Sequence, residues 1–498
     1  MTQRPVGTLC IVLHTHLPWV AHHGTWPVGE EWLHQAWSAS YLPLVDALHR
    51  LADEGRTDLL SLGLTPVLAA QLDDPYCLRE MHLWLGRWRL RAEELAVRPG
   101  ADADLRDLAA HEFRAAGAAI ETFERGWRSG GSAALRPLVD AGTVELLGGP
   151  ATHPVLPLLP EPVARLALRS GLDDAAVRLG HRPAGIWAPE CAVAPGLDRL
   201  LAREGVGHLM VDEPTLVAAG GSTDRVWLAG DVAVVGRDLE LTDHVWSARS
   251  GYPRGADYRD FHAFDHPSGF RTARVTDPAH PYKRPYRPEH AAERARRDAA
   301  SFVGAVRDRL MRRSAAGETP LAVVAWDTEL FGHWWHEGPL FLEHTLRMLP
   351  EAGVRPATLA QAVAEQRDAA RPVELPTGSW GAGKDLRLWA GAPVADLAHE
   401  ARQVAEHLVD AVRRCSPSGS ARCPRLDDLA REALLALSSD WAFMVSRDSA
   451  AGYARERLAG HVRRFCELAD GLLTGRPDER RGPAGNVVVP HLDARVLT

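Results

Sequence analysis

The sequence predicts a parallel α/β fold, and two features of the chain support this prediction. Short, nearly continuous apolar runs recur along it, as expected for parallel strands that are buried on both faces. Segments with helical periodicity lie between these runs, and each run ends in Gly, Pro or a polar residue. This alternation of strand and helix favours a barrel or a doubly wound sheet.

The predicted elements follow one another in this alternating order. Five runs are predicted as strands: TLCIVL (8–13), TVELLGG (143–149), AGIW (184–187), HLMV (208–211) and LAVVAW (321–326). Helices are predicted at about 31–54, 162–179, 195–204, 289–316 and 338–349. In barrels the chemistry lies at the carboxyl ends of the strands, and these strand ends carry His, Asp and Glu.

Two regions of the chain have helical periodicity without strand signals. Residues 76–141 are predicted to form a helical insertion. Three further helical stretches are predicted at 393–414, 425–445 and 450–472, followed by an irregular tail after residue 474. We therefore expect a catalytic domain over residues 1–390, which includes the insertion, and a C-terminal helical domain over residues 391–498.

The composition is that of a globular chain in water, with 46% apolar and 24% charged residues among 498. A formal net charge of −8 argues against a general surface for nucleic acid or anionic membranes. No segment approaches the roughly 20 apolar residues that a membrane span needs. The six cysteines contain no CxxC pair and fit free thiols in a reducing compartment. We expect a cytoplasmic protein without nucleic-acid or membrane partners.

Two carboxylates stand at predicted strand ends. Glu190 follows Trp187-Ala-Pro directly after AGIW, and Asp327 ends VVAW, with Glu329 as a rival for the same role. Two such groups on different barrel strands can flank a glycosidic bond, and retaining hydrolysis needs them about 5–5.5 Å apart. Each carboxylate taken alone also fits an ordinary loop residue in a salt bridge.

A histidine pair ends the first predicted strand. His14 and His16 lie two positions apart, so their side chains share a face. Such a pair suits metal ligation or hydrogen bonding, and His153 and His333 are candidates to complete either kind of site. A metal hydrolase would place further His, Asp or Lys ligands at later strand ends. Those ends carry a Glu and an Asp beside Trp, which favours sugar chemistry.

Tryptophan is unusually frequent, with 16 Trp against 7 Tyr. Trp187 and Trp326 flank the two acids, and Trp334 and Trp335 follow the second of them. Indole faces stack on the C–H faces of pyranose rings, while the indole N–H can reach a hydroxyl. Any one of these Trp also suits the core, but their grouping around candidate acids predicts a glycan cleft.

Five segments, in this order, resemble the signature regions of glycoside hydrolase family 57. They are HTHLP (14–18), LLGGPATHPVLPLL (146–159), GIWAPECAVAPGL (185–197), AWDTELFGHWW (325–335) and LPTGSWGAGKDLRLW (375–389). The C-terminal helices with SSDWAF (438–443) resemble those of the branching-enzyme subgroup. The resemblance implies a (β/α)7 barrel with a helical insertion and a C-terminal α-helical domain.

The resemblance also implies an activity and a site. The implied reaction is retaining double displacement on an α-glucan such as glycogen or amylose, by a monomer, with no metal or other cofactor. Glu190 matches the nucleophile of the family, and Asp327 matches its general acid/base. The implied glucan-binding residues are His14, His16, His153, Trp187, Trp246, His333, Trp335, Trp380, Trp389 and Asp440.

One departure from the family pattern bears on the reaction outcome. The resemblance implies a long loop after the nucleophile strand with a cleft-covering Tyr, yet no Tyr lies between Glu190 and Trp246. The resemblance therefore predicts a branching enzyme, and the missing Tyr makes an α-amylase-like hydrolase or a 4-α-glucanotransferase on the same scaffold the alternative. A metal-dependent hydrolase built on His14 and His16, and a non-catalytic glucan-binding protein, are the remaining alternatives.

Overall fold

The computed structural model describes residues 5–26, 28–247, 249–276, 282–314, 320–416, 421–474 and 488–498. Its strands are β1 (Gly7–Thr15), β2 (Leu60–Leu64), β3 (Val144–Gly148), β4 (Gly185–Ile186), β5 (His208–Asp212), β6 (Trp227–Ala229), β7 (Val232–Arg237), β8 (Phe264–Asp265), β9 (Phe270–Arg271), β10 (Leu321–Asp327), β11 (Val354–Ala357) and β12 (Arg371–Pro372). Its α-helices are α1 (Glu30–Ala36), α2 (Leu42–Asp53), α3 (Pro66–Leu72), α4 (Pro75–Ala96), α5 (Ala103–Thr122), α6 (Gly131–Asp140), α7 (Glu161–Leu179), α8 (Leu197–Arg203), α9 (Glu213–Ala218), α10 (Leu239–Val245), α11 (Pro288–Arg313), α12 (Gly338–Met348), α13 (Leu359–Gln366), α14 (Arg387–Ala390), α15 (Ala395–Cys415), α16 (Pro424–Ala436), α17 (Ser439–Ser446) and α18 (Ala451–Thr474).

Seven parallel strands form a closed barrel. Neighbouring strands follow the order β10, β1, β2, β3, β4, β5 and β7, and each of these pairs is parallel. The ring closes where the backbone N–H of Asp238, just after β7, donates to the carbonyl of Val323 in β10 at 2.7 Å. This closure decides between the barrel and the doubly wound sheet, and it confirms the (β/α)7 barrel.

The sequence analysis missed two of the seven barrel strands, β2 and β7. In β2 the apolar run LSLGL is interrupted by Ser61 and Gly63, and both small residues have a structural reason. Ser61 donates to Glu145 Oε2 of β3 at 2.6 Å. A Cβ on Gly63 would lie 3.5 Å from Trp187 and 3.6 Å from the ring of His14. β7 follows an antiparallel hairpin with β6, which breaks the strand–helix alternation.

The register of the sheet gathers the chemical groups at one end of the barrel. His14 of β1 pairs with Asp327 of β10 on one side and with Gly63 of β2 on the other. β4 is only two residues long, and the 3-10 turn Pro189–Cys191 follows it closely. Because all these strands are parallel, their carboxyl ends open onto the same cleft.

The helical insertion is built from α4, α5 and α6. A buried salt bridge between Arg259 Nη2 and Glu112 Oε1, at 2.7 Å, ties α5 to the segment that follows α10. The division of the chain into domains at residue 390 stays a prediction, because one apolar cluster contains both helices around the barrel and the C-terminal helices.

The C-terminal helices contain a break that the sequence analysis did not predict. The single stretch expected at 425–445 is two helices, α16 and α17, separated at Leu437 and Ser438. Ser438 has extended backbone angles, with φ −54° and ψ 135°. The break brings the first residues of α17 to the carboxyl end of the barrel, where Ser439 and Asp440 contact barrel residues.

The last described residues pack onto the C-terminal helices. Val488 and Val489 are buried, and Arg431 Nε donates to the carbonyl of Val488 at 2.8 Å. Residues 475–487, where the irregular tail was expected to begin, lie outside the described residues. Among the described helices, none has both the length and the apolar composition that a membrane span requires.

Candidate active site

The loops that carry the candidate site are held in unusual backbone conformations. Glu190 and Cys191 both have left-handed angles, with φ 61° and 50°, and His153 has φ 60°. Such angles cost a non-glycine residue about 1–3 kcal/mol each, so surrounding contacts must hold them. The backbone N–H of Trp380 donates to the carbonyl of Glu190 at 2.9 Å. The turn therefore aims the Glu190 side chain into the cleft at some cost in stability.

Each carboxylate oxygen of Glu190 accepts one hydrogen bond. Trp380 Nε1 donates to Oε2 at 3.0 Å, and Ser439 Oγ lies 2.9 Å from Oε1. The ring of His153 lies further away, with Nδ1 3.9 Å from Oε1. Donors of this kind stabilise the ionised carboxylate and orient it.

Asp327 lies in a different environment. Among the described residues, none places a hydrogen-bond donor on its carboxylate. The nearest influences on it are electrostatic, because the positive charges of His16 and Arg237 lower its pKa against the larger effect of burial. Its own charge is close enough to raise the pKa of Glu190. The structure thus brings the two predicted acids into one site.

Burial raises the pKa of both acids, to about 7 for Glu190 and about 6 for Asp327. Taken alone, these values would make Asp327 ionise first. The hydrogen bonds point the other way, because two donors face Glu190 and none faces Asp327. Among the described residues, these donors favour the ionised form of Glu190 and hold its carboxylate in place, whereas the carboxyl group of Asp327 has no such support.

Three histidines form a stack at the floor of the site. The rings of His16 and His153 are 4.0 Å apart, those of His14 and His153 are 4.9 Å apart, and His14 lies 4.4 Å from the ring of Trp187. Burial lowers the pKa of His14 and of His153 well below the usual value, and so does the charge on His16. Both are therefore neutral and can donate or accept hydrogen bonds.

The third histidine is paired with a carboxylate. His16 Nε2 lies 3.1 Å and 3.0 Å from the two oxygens of Asp440, and its Nδ1 lies 3.0 Å from Thr65 Oγ1. Burial would lower the pKa of His16, but the charge and hydrogen bond of Asp440 outweigh it and raise that pKa. His16 therefore carries the positive charge of the stack, and Asp440 holds it.

The histidine stack is better arranged for sugars than for a metal. His16, His153 and Asp440 do bring three potential ligand atoms within 4.8 Å of one another. The two rings, however, lie nearly parallel, with 22° between their planes, so their lone pairs run side by side instead of converging on one point. In addition, His16 Nε2 already faces Asp440.

The predicted aromatic residues fall into two groups. Trp187 and Trp380 belong to the inner site, because Trp187 stacks on His14 and Trp380 Nε1 donates to Glu190. Trp389 is buried next to Val155, and no described contact joins it to the acids or the histidines. Trp246 is 46% exposed and stacks against Trp334, with the ring centroids 6.0 Å apart. These two rings form an open aromatic platform outside the inner site.

Trp335 does not lie in the cleft, although the sequence analysis named it as a glucan-binding residue. It is 1% exposed and packs against Tyr258 and Phe341 in the core, whereas Trp334 is 37% exposed. The loop after Asp327 turns only the first Trp of the pair outward.

His333 is half-buried beside the aromatic platform, where its ring contacts Phe261 and Trp334. No described contact joins it to the two acids.

The sequence analysis weighed Glu329 only as a rival to Asp327, and the structure gives it another place. Tyr41 donates to Glu329 Oε1 at 2.5 Å, and the backbone N–H of His16 donates to the same oxygen at 3.3 Å. Tyr41 ends a π-helical turn, Trp37–Tyr41, and such turns often occur at functional sites. Burial and the charge of Asp327 raise the pKa of Glu329 to about 8.

Sequence reasoning missed an ionic frame around Trp380. Asp212 is completely buried and accepts from Arg237 Nε at 2.9 Å, and Lys384 Nζ lies 2.6 Å from its other oxygen. The guanidinium carbon of Arg237 lies 5.3 Å from the centroid of the Trp380 ring. Asp212 and Arg237 end β5 and β7, and this position at strand ends could have marked them as site residues. β7, however, was not predicted.

Two family profiles match the chain. Residues 10–374 match glycosyl hydrolase family 57, and residues 400–496 match the C-terminal region of 1,4-alpha-glucan branching enzymes. The first match spans more than half of the chain and contains both acids. The second contains the helix break that brings Ser439 and Asp440 to the site.

The similar proteins include branching enzymes and an alpha-amylase. A probable 1,4-alpha-glucan branching enzyme of Mycobacterium tuberculosis H37Rv is 49% identical over 95% of this chain and 94% of its own length. The crystal structure of a branching enzyme from Pyrococcus horikoshii has a TM-score of 0.87 at 30% identity, over 97% of this chain and 99% of that one. The alpha-amylase AmyC from Thermotoga maritima has a TM-score of 0.86 at 26% identity, over 99% of each chain.

Proposed function

The chain belongs to glycosyl hydrolase family 57, and we propose that Glu190 and Asp327 perform the reaction of a retaining 1,4-alpha-glucan branching enzyme. The observation that carries this proposal is the pair of carboxyl groups at the ends of β4 and β10, one with two hydrogen-bond donors and one with none. The carboxylate with donors suits a nucleophile, and the other suits a proton donor.

The proposed first step cleaves the glucan. Protonated Asp327 gives its proton to the glycosidic oxygen as that bond breaks, and a Glu190 oxygen bonds to the anomeric carbon. The product is a β-linked glucosyl-enzyme and a free chain end. Burial of Asp327 favours its protonated form before this step, because it raises the pKa of the carboxyl group.

The second step transfers the chain. Asp327, now a carboxylate, removes the proton from a glucan 6-hydroxyl, whose oxygen attacks the anomeric carbon and releases Glu190. Two inversions return the α configuration, and the product is an α-1,6 branch. The neutral His14 and His153 suit hydrogen bonding to sugar hydroxyls near the cleaved bond, since they have unpartnered, buried ring nitrogens.

Hydrolysis is the second candidate, and two observations favour it. No Tyr lies between Glu190 and Trp246, and the Thermotoga maritima structure of nearly equal similarity is called an alpha-amylase. If water reaches the glucosyl-enzyme, the same pair of acids releases a shorter linear chain. The outcome therefore depends on whether the acceptor chain or water occupies the position beside Asp327.

The test is incubation with amylose, followed by measurement of reducing ends and, after enzymatic debranching, of new chain ends. Branches well in excess of free reducing ends support transfer, and reducing ends alone would contradict it. Glu190→Gln and Asp327→Asn should each abolish turnover, whereas Glu93→Gln, on the exposed face of α4, should behave as wild type. Full activity in either acid variant would contradict the assigned pair.

We further propose that the enzyme works as a cytoplasmic monomer. Barrel and C-terminal helices of one chain supply all the groups of the site described above, so no second copy is needed. The six cysteines are all free, as expected in a reducing compartment. Light scattering on the purified protein should give the mass of one chain, and a stable dimer would contradict the proposal.

A further inference from the structure

We propose that Ser439 is a positioning residue, through which the C-terminal helices set the reactivity of the nucleophile in the barrel. This inference rests on the proposed role of Glu190. Ser439 is the first residue of α17 and is 3% exposed. Its Oγ lies 2.9 Å from Glu190 Oε1 and 2.9 Å from His153 Nδ1. One hydroxyl therefore bridges the nucleophile and a histidine of the cleft floor.

The direction of these two hydrogen bonds follows from the number of protons. A serine hydroxyl has one proton, and an ionised carboxylate can only accept. Ser439 must therefore donate to Glu190, and it must accept from His153. This order places the proton of the neutral His153 ring on Nδ1. The other ring nitrogen, Nε2, then carries a lone pair.

The second ring nitrogen of His153, Nε2, is left free by this arrangement. It is buried and has no hydrogen-bond partner among the described residues. With a free lone pair, it suits accepting a hydrogen bond from a sugar hydroxyl. Ser439 thus does two things at once: it stabilises the charge of Glu190 and fixes the tautomer with which His153 meets the glucan.

The backbone holds Ser439 in this position. Its N–H donates to the carbonyl of His153 at 3.1 Å, so both the backbone and the side chain of Ser439 contact the loop that carries His153. The break before α17 places it there, and Trp441 Nε1 donates across the break to the carbonyl of Leu435 at 2.9 Å. A continuous helix over 425–445 would not place the hydroxyl at this point.

The two donors of Glu190 come from different parts of the chain. Trp380 follows the barrel, and Ser439 belongs to the C-terminal helices. Removal of the Ser439 hydroxyl leaves one donor, which raises the pKa of Glu190 and weakens the carboxylate as a leaving group in the second step. The other titratable groups that face Glu190 stay in place: His16 just after β1, His153 after β3, Cys191 next in the chain, Asp327 from β10 and Asp440 from α17.

The test compares Ser439→Ala, Ser439→Thr and the control Ser446→Ala in the full-length enzyme. Ser446 is the last residue of the same helix, and its Oγ donates to the carbonyl of Leu388 at 2.5 Å. Ser439→Ala should lower kcat roughly 10- to 100-fold, with a smaller change in KM, and move the acidic limb of kcat/KM up by about one pH unit. Ser439→Thr should restore most of both, and Ser446→Ala should match wild type.

A second measurement separates positioning from folding. Rapid quenching should trap more glucosyl-enzyme in Ser439→Ala than in wild type, because release of Glu190 slows, while the melting temperature shows whether the variant is folded. A wild-type pH profile in folded Ser439→Ala would overturn the inference. Were Glu190→Gln itself active, the proposed nucleophile would fail instead, so the two failures are distinguishable.

Discussion

Single residues set the charge pattern of the cleft. The positive charge of the histidine stack belongs to His16, because Asp440 faces it with both oxygens. His14 and His153 stay neutral, since burial opposes their protonation. One cation beside two neutral rings gives the cleft a fixed positive charge on one side and adaptable hydrogen-bond partners on the other.

The His16–Asp440 pair predicts a stability that depends on pH. The raised pKa of His16 stabilises the fold below about pH 6.5, and this contribution is lost as the pH rises through the folded value. The lowered pKa of Asp440 stabilises it above about pH 4, and this is lost as the pH falls further. Asp440→Asn should therefore lower the free energy of unfolding by about 2 kcal/mol near pH 5.5 and by less near pH 9.

Urea unfolding at the two pH values measures this difference. Asp428→Asn is the control, since Asp428 forms a half-exposed ion pair with Arg431 on α16 and should contribute little. An equal cost of Asp440→Asn at both pH values would contradict a charged pair.

The two neighbouring tryptophans after Asp327 should respond differently to truncation. Trp334→Ala removes half of the exposed platform with Trp246 and should raise KM for amylose roughly 5- to 10-fold, with little change in kcat. Trp335→Ala should leave a core cavity and destabilise the fold by about 3–5 kcal/mol. Kinetics and thermal melting of both variants check the contrast, and the opposite pattern would restore Trp335 as the glucan contact.

Sequence reasoning found the acids and histidines because each ends or follows a barrel strand. It missed Ser439 and Tyr41 for a common physical reason. Their roles arise from contacts 249 and 288 residues away in the chain, with Glu190 and Glu329 respectively. Local patterns carry no record of such contacts, although Ser439 stands next to Asp440 in a motif that the analysis had singled out.

Among the elements, the π-helical turn Trp37–Tyr41 serves as a support for the loop of the acid. Tyr41 donates to Glu329, and the backbone N–H of His333 donates to Ser40 Oγ at 2.9 Å. Gly332, with φ 125°, fits against this turn, where a Cβ would lie 1.8 Å from the carbonyl oxygen of Ala39. Only glycine allows that approach.

Loosening this support should impair catalysis more than binding. Tyr41→Phe removes the donor to Glu329, so the segment that follows Asp327 loses an anchor, and kcat should fall roughly 10-fold with KM nearly unchanged. Tyr282→Phe, at an exposed position, is the matched control. A pure increase in KM in Tyr41→Phe would argue against a role in placing the acid.

Most helices and five of seven barrel strands could be predicted because their apolar patterns are local. The break between α16 and α17 could not. Leu435, Ala436 and Leu437 continue the apolar face without Gly or Pro, so the pattern reads as one helix. Contacts with the barrel decide the break, since Thr152 Oγ1 donates to the carbonyl of Leu434 just before it.

At the scale of the whole molecule, barrel and C-terminal helices share one apolar core as well as one active site. The same cluster holds Leu42 and Phe341 from helices around the barrel and Leu408 and Phe465 from α15 and α18. We therefore expect a single calorimetric transition, with equal van't Hoff and calorimetric enthalpies. Two separated transitions would show that the regions unfold independently.

The left-handed turn at Glu190 and Cys191 also has a consequence for how this protein can change over generations. Glycine adopts such angles at no steric cost. Glu190→Gly would therefore relieve backbone strain at the same position where it removes the proposed nucleophile. A descendant released from the need to cleave glucan could lose the proposed nucleophile by a step that relieves this backbone strain. Recovery of a carboxylate at this position would have to impose the left-handed strain again.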